Sequence, residues 1–292
     1  MAALPDRYFV VGHPVAHSLS PTIHAAFARQ TGESLVYERC LCPLDGFERT
    51  VRSLAADTHG GPVRGCNVTL PFKFEAARIA ARRSLRAERA QAANVLCFDS
   101  EGWLADNIDG AGLMHDLQHN EGLGLAGRDV LLVGSGGAAA GVLGPLLDTG
   151  PRRVLVVNRS PDKALALVRR HAALAEQCGV LLQGRGLDEW PAMGNEPGFD
   201  LLVNATAASL AGSPLPVAAS AMAAGWCAVD LMYGPAASAF LSWARARGAA
   251  RAIDGLGMLV EQAAEAFHLW RGVRPATAPV LAQLRASLGV LG

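Results

Sequence analysis

The sequence has no surplus of charge of either sign: 26 Lys and Arg stand against 26 Asp and Glu. Without a basic excess there is no long-range field to draw nucleic acid or an anionic membrane surface, so neither is expected as a partner. No apolar stretch has the length of a membrane span, and the N-terminus lacks the basic start and apolar run of a secretory leader. Cysteine is sparse and scattered, at positions 40, 42, 66, 97, 178 and 227. Cys40-Leu41-Cys42 has the wrong spacing for half of a zinc site, and no second pair accompanies it. No His-Glu-x-x-His occurs either, so no metal is expected. Free thiols suit a reducing compartment, and the cytoplasm is the expected location. Charge of any kind is scarce, at 18% of residues.

What the sequence has instead is apolar residues, 51% of 292, enough for the cores of one large domain or two ordinary ones. In the first third, Tyr8–Val11, Leu35–Cys42 and Val63–Leu70 read as strands. Between and after them, helices are expected from Ser20-Pro21 (cap and first position) to Gln30, over Leu44–Ala56 and near Lys73–Arg82. Asn94–Phe98 and Trp103–Asp106 read as a hairpin, followed by a helix over Ala111–His119. Further on, strands are expected at Val130–Val133, Val154–Asn158, Val180–Gln183, Leu201–Val203 and Ala228–Leu231. Strong helices are expected over Leu259–Trp270 and Thr277–Leu288. Alternating units on both sides of a glycine-rich hinge at Asp254-Gly255-Leu256-Gly257 imply two α/β domains with a cleft between them. The first comprises residues 1 to 109, completed by the tail from 256 to 292; the second comprises 110 to 255.

The segment from Val130 to Arg159 is a strand, a glycine turn (Gly134-Ser135-Gly136-Gly137-Ala138-Ala139), an apolar helix and a second strand. Such a unit holds a dinucleotide pyrophosphate against free N–H groups at a helix N-terminus. Gly134 permits the turn, Gly136 lets backbone approach phosphate, and Ala139 is the third small residue. The second strand ends in Asn158-Arg159-Ser160, without the acid that reads an NAD ribose. A guanidinium there suits a 2′-phosphate. One charge-assisted bond, roughly 1.5–3 kcal/mol, gives about tenfold or more preference for NADP. Pro145, inside the expected helix, should kink it or end it.

Three polar clusters stand out. Ser18 and Ser20 flank one residue before a helix, where both hydroxyls could reach a carboxylate, or Ser20 could simply cap. Asn67 and Thr69 share a strand face by the two-residue period, and Lys73 follows Pro71 at the strand mouth. Asp109 lies at a strand-to-helix junction, where it could cap a helix or face a ligand, and Asn94 begins the same hairpin. Of the eight histidines, His24, His115, His119, His171 and His268 fall within helical runs and read as surface or edge residues, while His13 and His17 neighbour the serines. Transfer of hydride at a secondary alcohol needs a group that handles the hydroxyl proton, and Lys73 with Asp109 is the remaining candidate.

Together these clusters resemble the shikimate dehydrogenase family. Gly12 to Pro21, Asn67 to Lys73, Asp106 to Gly110, Gly134 to Ala139, Asn158 to Ser160, Asn204 to Thr206 and Asp254 to Gln262 are similar to its motifs, in order along almost the whole chain. The resemblance implies two α/β domains, a substrate domain and a Rossmann domain, and NADP-dependent interconversion of shikimate and 3-dehydroshikimate by a monomer or homodimer. It implies that Lys73 and Asp109 are the catalytic pair and that Ser18 and Ser20 hold the carboxylate. Asn67, Thr69, Asn94 and Gln262 would bind ring hydroxyls, with Tyr233 near the nicotinamide or the substrate carboxylate. For the cofactor it implies Gly134, Ser135, Gly136, Gly137, Ala138 and Ala139 at the pyrophosphate, Asn158, Arg159 and Ser160 at the adenosine ribose and its phosphate, and Gly255. Two departures bear on specificity. Ile108 replaces the usual Thr of Asp-Asn-Thr-Asp-Gly, and Ala207-Ala208-Ser209 stands where hydroxyl residues are frequent. A quinate/shikimate or aminoshikimate dehydrogenase, and a catalytically silent NADP(H)-binding regulator on the same fold, are the rival readings.

Overall fold

The computed structural model describes residues 4–187, 198–206, 217 and 219–289. The chain forms two compact units: Met1–Gly112 with Leu259–Ala286, and Leu113–Met258 with Ser287–Gly292.

The first unit is built on a six-stranded mixed sheet of β1 (Asp6–Gly12), β2 (Leu35–Leu41), β3 (Val63–Val68), β4 (Arg82–Arg83), β5 (Val95–Cys97) and β6 (Leu104–Asp106), in the order β2-β1-β3-β5-β6-β4. β1 runs parallel to β2 and β3, and the β5–β6 hairpin is joined to β3 through the antiparallel pairing of β5. Strand periodicity sends Phe9 and Val11 into one core with Phe47, Val51, Phe72 and Leu96, and Tyr8 and Val10 into another with Tyr37 and Trp270.

The helices are α1 (Ser20–Thr31), α2 (Phe47–Ala56), α3 (Lys73–Ile79), α4 (Leu85–Ala90) and α5 (Asp109–His115). α1 ends at Gly32, whose φ of 73° is left-handed. Its start differs: Leu19 is the cap, and Ser20 is the first helical residue with no capping bond of its own. α2 starts three residues later than expected, because Gly46 N–H closes a turn onto Pro43 C=O at 3.0 Å. α3 stops at Ile79, since Arg82 and Arg83 are drawn into the sheet beside β6. α4, capped by Ser84 Oγ accepting from Ala87 N–H, was not anticipated. Nor was the π-helical turn Asp116–Asn120 that continues α5, where a plain α-helix to His119 was expected. α9 (Leu256–Arg271) and α10 (Ala278–Ser287) complete the list for this part of the chain, and Arg271 bonds Asp6, Glu33 and Tyr8.

The second unit carries a wholly parallel sheet of β7 (Asp129–Val133), β8 (Arg153–Asn158), β9 (Leu181–Gly186), β10 (Phe199–Asn204), β11 (Met222–Asp230) and β12 (Arg251–Ile253), in the order β12-β11-β10-β7-β8-β9. Its helices are α6 (Gly137–Asp148), α7 (Pro161–Gln177) and α8 (Ser238–Ala246). Strands buried on both faces need apolar residues throughout, which is why 130–133 of β7 and 154–157 of β8 are unbroken apolar runs. Pro145 does not end α6, which continues to Asp148. The helix forgoes the one ladder bond that a residue 145 N–H would make to Gly141 C=O. α8 and β12 had gone unrecognised. No described helix is long and apolar enough to cross a membrane.

Two histidines expected at the surface are buried, His24 and His171, each 1% exposed. The His24 ring stacks on Tyr37 with centroids 4.2 Å apart and planes 4° from parallel, and neither ring nitrogen has a hydrogen-bond partner. Burial pushes its imidazole down to about 3. The unfolded chain takes up a proton at this residue near its ordinary value and the folded chain does not, so acidification favours unfolding. By about pH 5 the difference amounts to about 2 kcal/mol. His24→Phe should therefore lose less melting temperature than the parent between about pH 7 and pH 5; equal losses in thermal unfolding at the two pH values would refute the assignment.

Candidate active site

Asn94 is the centre of the polar cluster in the first unit. Its Nδ2 donates to Asp109 Oδ1 at 2.9 Å and to Gln262 Oε1 at 3.3 Å, and its Oδ1 accepts from Ile108 N–H at 2.9 Å. Its backbone carbonyl accepts from Val68 N–H at 2.8 Å and from Asn67 Nδ2 at 3.2 Å. One residue therefore ties β3, the β5–β6 hairpin, the start of α5 and α9 together. Asp109 is not a helix cap. Asn107 Oδ1 accepts the Asp109 N–H at 3.2 Å, and the Asp109 carboxylate turns inward.

The other oxygen of that carboxylate, Oδ2, accepts from Lys73 Nζ at 2.6 Å. Lys73 opens α3, and its side chain is 12% exposed against 5% for Asp109. A charge pair this withdrawn from water contributes little to stability overall, but removing one member costs about 3–5 kcal/mol through the charge left behind. An ammonium has three N–H donors, and Asp109 uses one. The pair can thus hold a proton at an oxygen placed beside Nζ.

Ser18 and Ser20 are also brought together. Ser18 Oγ donates to Ser20 Oγ at 3.1 Å and accepts the Ser20 N–H at 3.3 Å. Arg39, which no motif marked, secures this loop by donating to Ser18 C=O at 2.6 Å from Nη2. Thr69 follows β3 and is held by its N–H to Val11 C=O at 2.9 Å. Gly12 makes room for it, since a Cβ there would lie 2.3 Å from Thr69 Cγ2. Tyr37 is a second residue missed by sequence: its hydroxyl donates to Asn67 Oδ1 at 2.6 Å. Its only sequence signal was an inward register position in β2.

In the second unit, Gly134 follows β7 at the point where the strand order reverses. Its φ is 116°, and a Cβ would meet Ala205 C=O at 3.0 Å, so glycine is required on both counts. Gly136 caps α6 with open space above it and no side-chain bond, leaving the first N–H groups of α6 available to an anion. Ser135, Gly137 and Ala139 are buried beneath the turn and Ala138 half-buried. At the tip of β8, Asn158 Nδ2 donates to Ser160 C=O at 3.1 Å, and Arg159 is exposed. Ser160 caps α7 by backbone position but makes no side-chain cap bond. Asn204 Oδ1 accepts from Thr206 N–H and Oγ1, closing a turn at the end of β10. Tyr233 and Gly255 belong to this second unit. Gly255 is buried, and a Cβ there would lie 2.4 Å from Leu231 C=O. Residues 207–209 lie outside those described. Among the described residues no three His, Cys, Asp or Glu stand together as a metal site.

The Ile108 side chain does not face this site. It is fully buried against Val95 and Ala266, with Cys97 and Trp270 beside them. Only its N–H serves the cluster.

A doubly wound parallel sheet with an uncapped helix start at its switch point, together with a buried ammonium–carboxylate pair, defines a class: dinucleotide-dependent oxidoreductases acting at an alcohol or carbonyl. Comparison narrows it. Residues 10–96 match the shikimate dehydrogenase substrate binding domain, 116–209 the shikimate/quinate 5-dehydrogenase model and 255–285 the shikimate 5′-dehydrogenase C-terminal domain. A shikimate dehydrogenase (NADP+) of Methylibium petroleiphilum is 60% identical over 98% of this chain and 96% of its own length. Among solved structures, an Ael1 enzyme from Pseudomonas putida is 43% identical with a TM-score of 0.83, covering 96% of this chain and 98% of that one. Shikimate 5-dehydrogenase of Thermus thermophilus, in complex with NADP(H) and shikimate, is 32% identical with a TM-score of 0.78, covering 97% and 99%. The chain belongs to the shikimate dehydrogenase family.

Ile108→Thr should cost about 1–3 kcal/mol, because it exchanges apolar carbon for a hydroxyl in a closed core. Thermal unfolding checks this, and an unchanged melting temperature would show that the side chain lies elsewhere.

Proposed function

We propose that this protein is an NADP-dependent shikimate dehydrogenase, reversibly reducing 3-dehydroshikimate to shikimate on the route to aromatic amino acids. The observation that carries the reading is the Lys73–Asp109 pair at 2.6 Å, with Asn94 bonded to the second carboxylate oxygen. The relatives support it: that of Methylibium petroleiphilum bears the same activity in its name, and the Thermus thermophilus enzyme is seen with NADP(H) and shikimate.

NADP fits the second unit. The open cradle of Gly134 to Ala139 over the free N–H groups of α6 suits the pyrophosphate. Arg159, exposed and engaged with no carboxylate among the described residues, suits the 2′-phosphate, with Asn158 and Ser160 beside it at the ribose. We assign Gly255 and Tyr233 to the nicotinamide end. When bound, NADP supplies the hydride carrier.

In reduction, Lys73 directs an N–H at the substrate carbonyl oxygen and releases a proton to it as that oxygen gains negative charge, leaving a neutral amine beside the Asp109 carboxylate. In oxidation the amine takes the hydroxyl proton back. Asp109, held by Asn94, keeps Nζ aimed. Ser18 and Ser20 donate to the substrate carboxylate, and Asn67, Thr69, Asn94 and Gln262 bind ring hydroxyls. The exchange at position 108 removes no side-chain bond from this set, and so gives no ground for a shift toward quinate. An intact proton-handling pair argues against a silent regulator. The finer readings, a cytoplasmic enzyme acting as monomer or homodimer, belong to the same proposal; six free cysteines support the first.

Lys73→Ala should lower kcat by about a hundredfold or more, the usual worth of a positioned general acid, while NADP affinity stays within about twofold. Near-normal turnover in steady-state kinetics would remove Lys73 from the mechanism. Arg159→Ala should weaken NADP about tenfold and leave NAD little changed, the loss of one charge-assisted contact. Equal losses for both cofactors would show that Arg159 does not read the 2′-phosphate.

A further inference from the structure

Tyr37 makes no contact that the proton step requires, yet its hydroxyl is bonded to one of the proposed substrate groups. It donates to Asn67 Oδ1 at 2.6 Å. Asn67 in turn donates to the Asn94 carbonyl at 3.2 Å. An amide offers one oxygen and two N–H donors. Here the oxygen and one N–H are held, so the second N–H is the donor left for a ligand. Without the phenol, the longer bond to Asn94 would be the remaining restraint on the amide.

The phenol is itself held. Tyr37 is 8% exposed, and its ring lies flat on His24 at 4.2 Å and has Trp270 at 6.3 Å, tilted by 45°. Burial raises the Tyr37 hydroxyl well above the ordinary phenol range, so it stays a neutral donor wherever the protein is folded. His24, on α1 one turn after Ser20, is neutral too, since burial pushes its imidazole down to about 3.

We propose that Tyr37 is a positioning residue for substrate binding: standing on the His24 ring, its hydroxyl fixes the amide of Asn67 so that one N–H is presented to a ring hydroxyl of the substrate. The inference rests on the assignment of Asn67 to the substrate. It places Tyr37 in substrate affinity and outside the proton transfer.

The test is a double-mutant cycle of Tyr37→Phe and Asn67→Ala, read as KM and kcat for shikimate and as KM for NADP. Tyr37→Phe keeps the ring on its stack and removes one oxygen. It should raise shikimate KM about tenfold, the size of one lost hydrogen bond in a closed site, with kcat and NADP KM within about twofold. In the Asn67→Ala background the same change should alter shikimate KM by less than about twofold, because the residue through which it acts is gone. Equal losses in both backgrounds would reduce Tyr37 to a packing residue and overturn the proposal, as would unchanged KM or a fall confined to kcat. A normal shikimate KM for Asn67→Ala alone would instead overturn the assignment of Asn67, and the proposal with it. Asn67→Ser provides the second background if the alanine variant does not fold.

Discussion

The side-chain amide of Asn94 is the constraint on which the first unit's polar centre depends. It reaches Asp109 and Gln262 with one nitrogen and takes the Ile108 N–H on its oxygen, while its backbone carbonyl holds Asn67. At 3% exposure these groups have no water to fall back on, so each must find its partner in the protein. The consequence reaches Lys73. A carboxylate closed on one side by an amide offers its other oxygen in a single direction, and the ammonium is aimed by it. Burying such a pair has a cost that apolar residues would avoid, which is a reason to read it as chemistry and not as a brace.

The second unit rests on a different constraint, strand order. Where β7 and β10 run side by side the strand order reverses, and the ends of the strands leave a crevice. The chain can turn there only if residue 134 has positive φ and no side chain, because Ala205 C=O stands 3.0 Å from where a Cβ would be. The same turn delivers an uncapped helix start facing open space. The anion-binding character proposed for this loop therefore follows from backbone geometry more than from any side chain, with Arg159 supplying the charged contact.

Much of this was legible along the chain. The apolar runs of β7 and β8, the stop of α1 at Gly32 and the turn at Gly134 obey local rules, and local rules can be read locally. The misses share a cause in longer-range forces. Arg82 and Arg83 extend because β6 offers them backbone partners, although their residue types favour helix. The π-helical turn after α5 and the capped helix α4 leave no periodic mark. His24 sits in a run that reads as amphipathic surface, and only the aromatic shell of Tyr37, Phe267 and Trp270 from other elements buries it. Ile108 marked a departure along the chain, but only the fold shows its side chain buried with Val95 and Ala266.

By itself, the order of residues determined the class of each unit, the phosphate-facing glycine turn and the short list of polar side chains from which a proton-handling pair had to come, because spacing along one strand or one turn decides those. Tertiary structure alone decided that Lys73 and Asp109, 36 positions apart, share a hydrogen bond, and that Tyr37 holds an amide 30 positions away. Those contacts depend on strand register and on the packing of α9 against the hairpin, and no local pattern carries the register between distant strands.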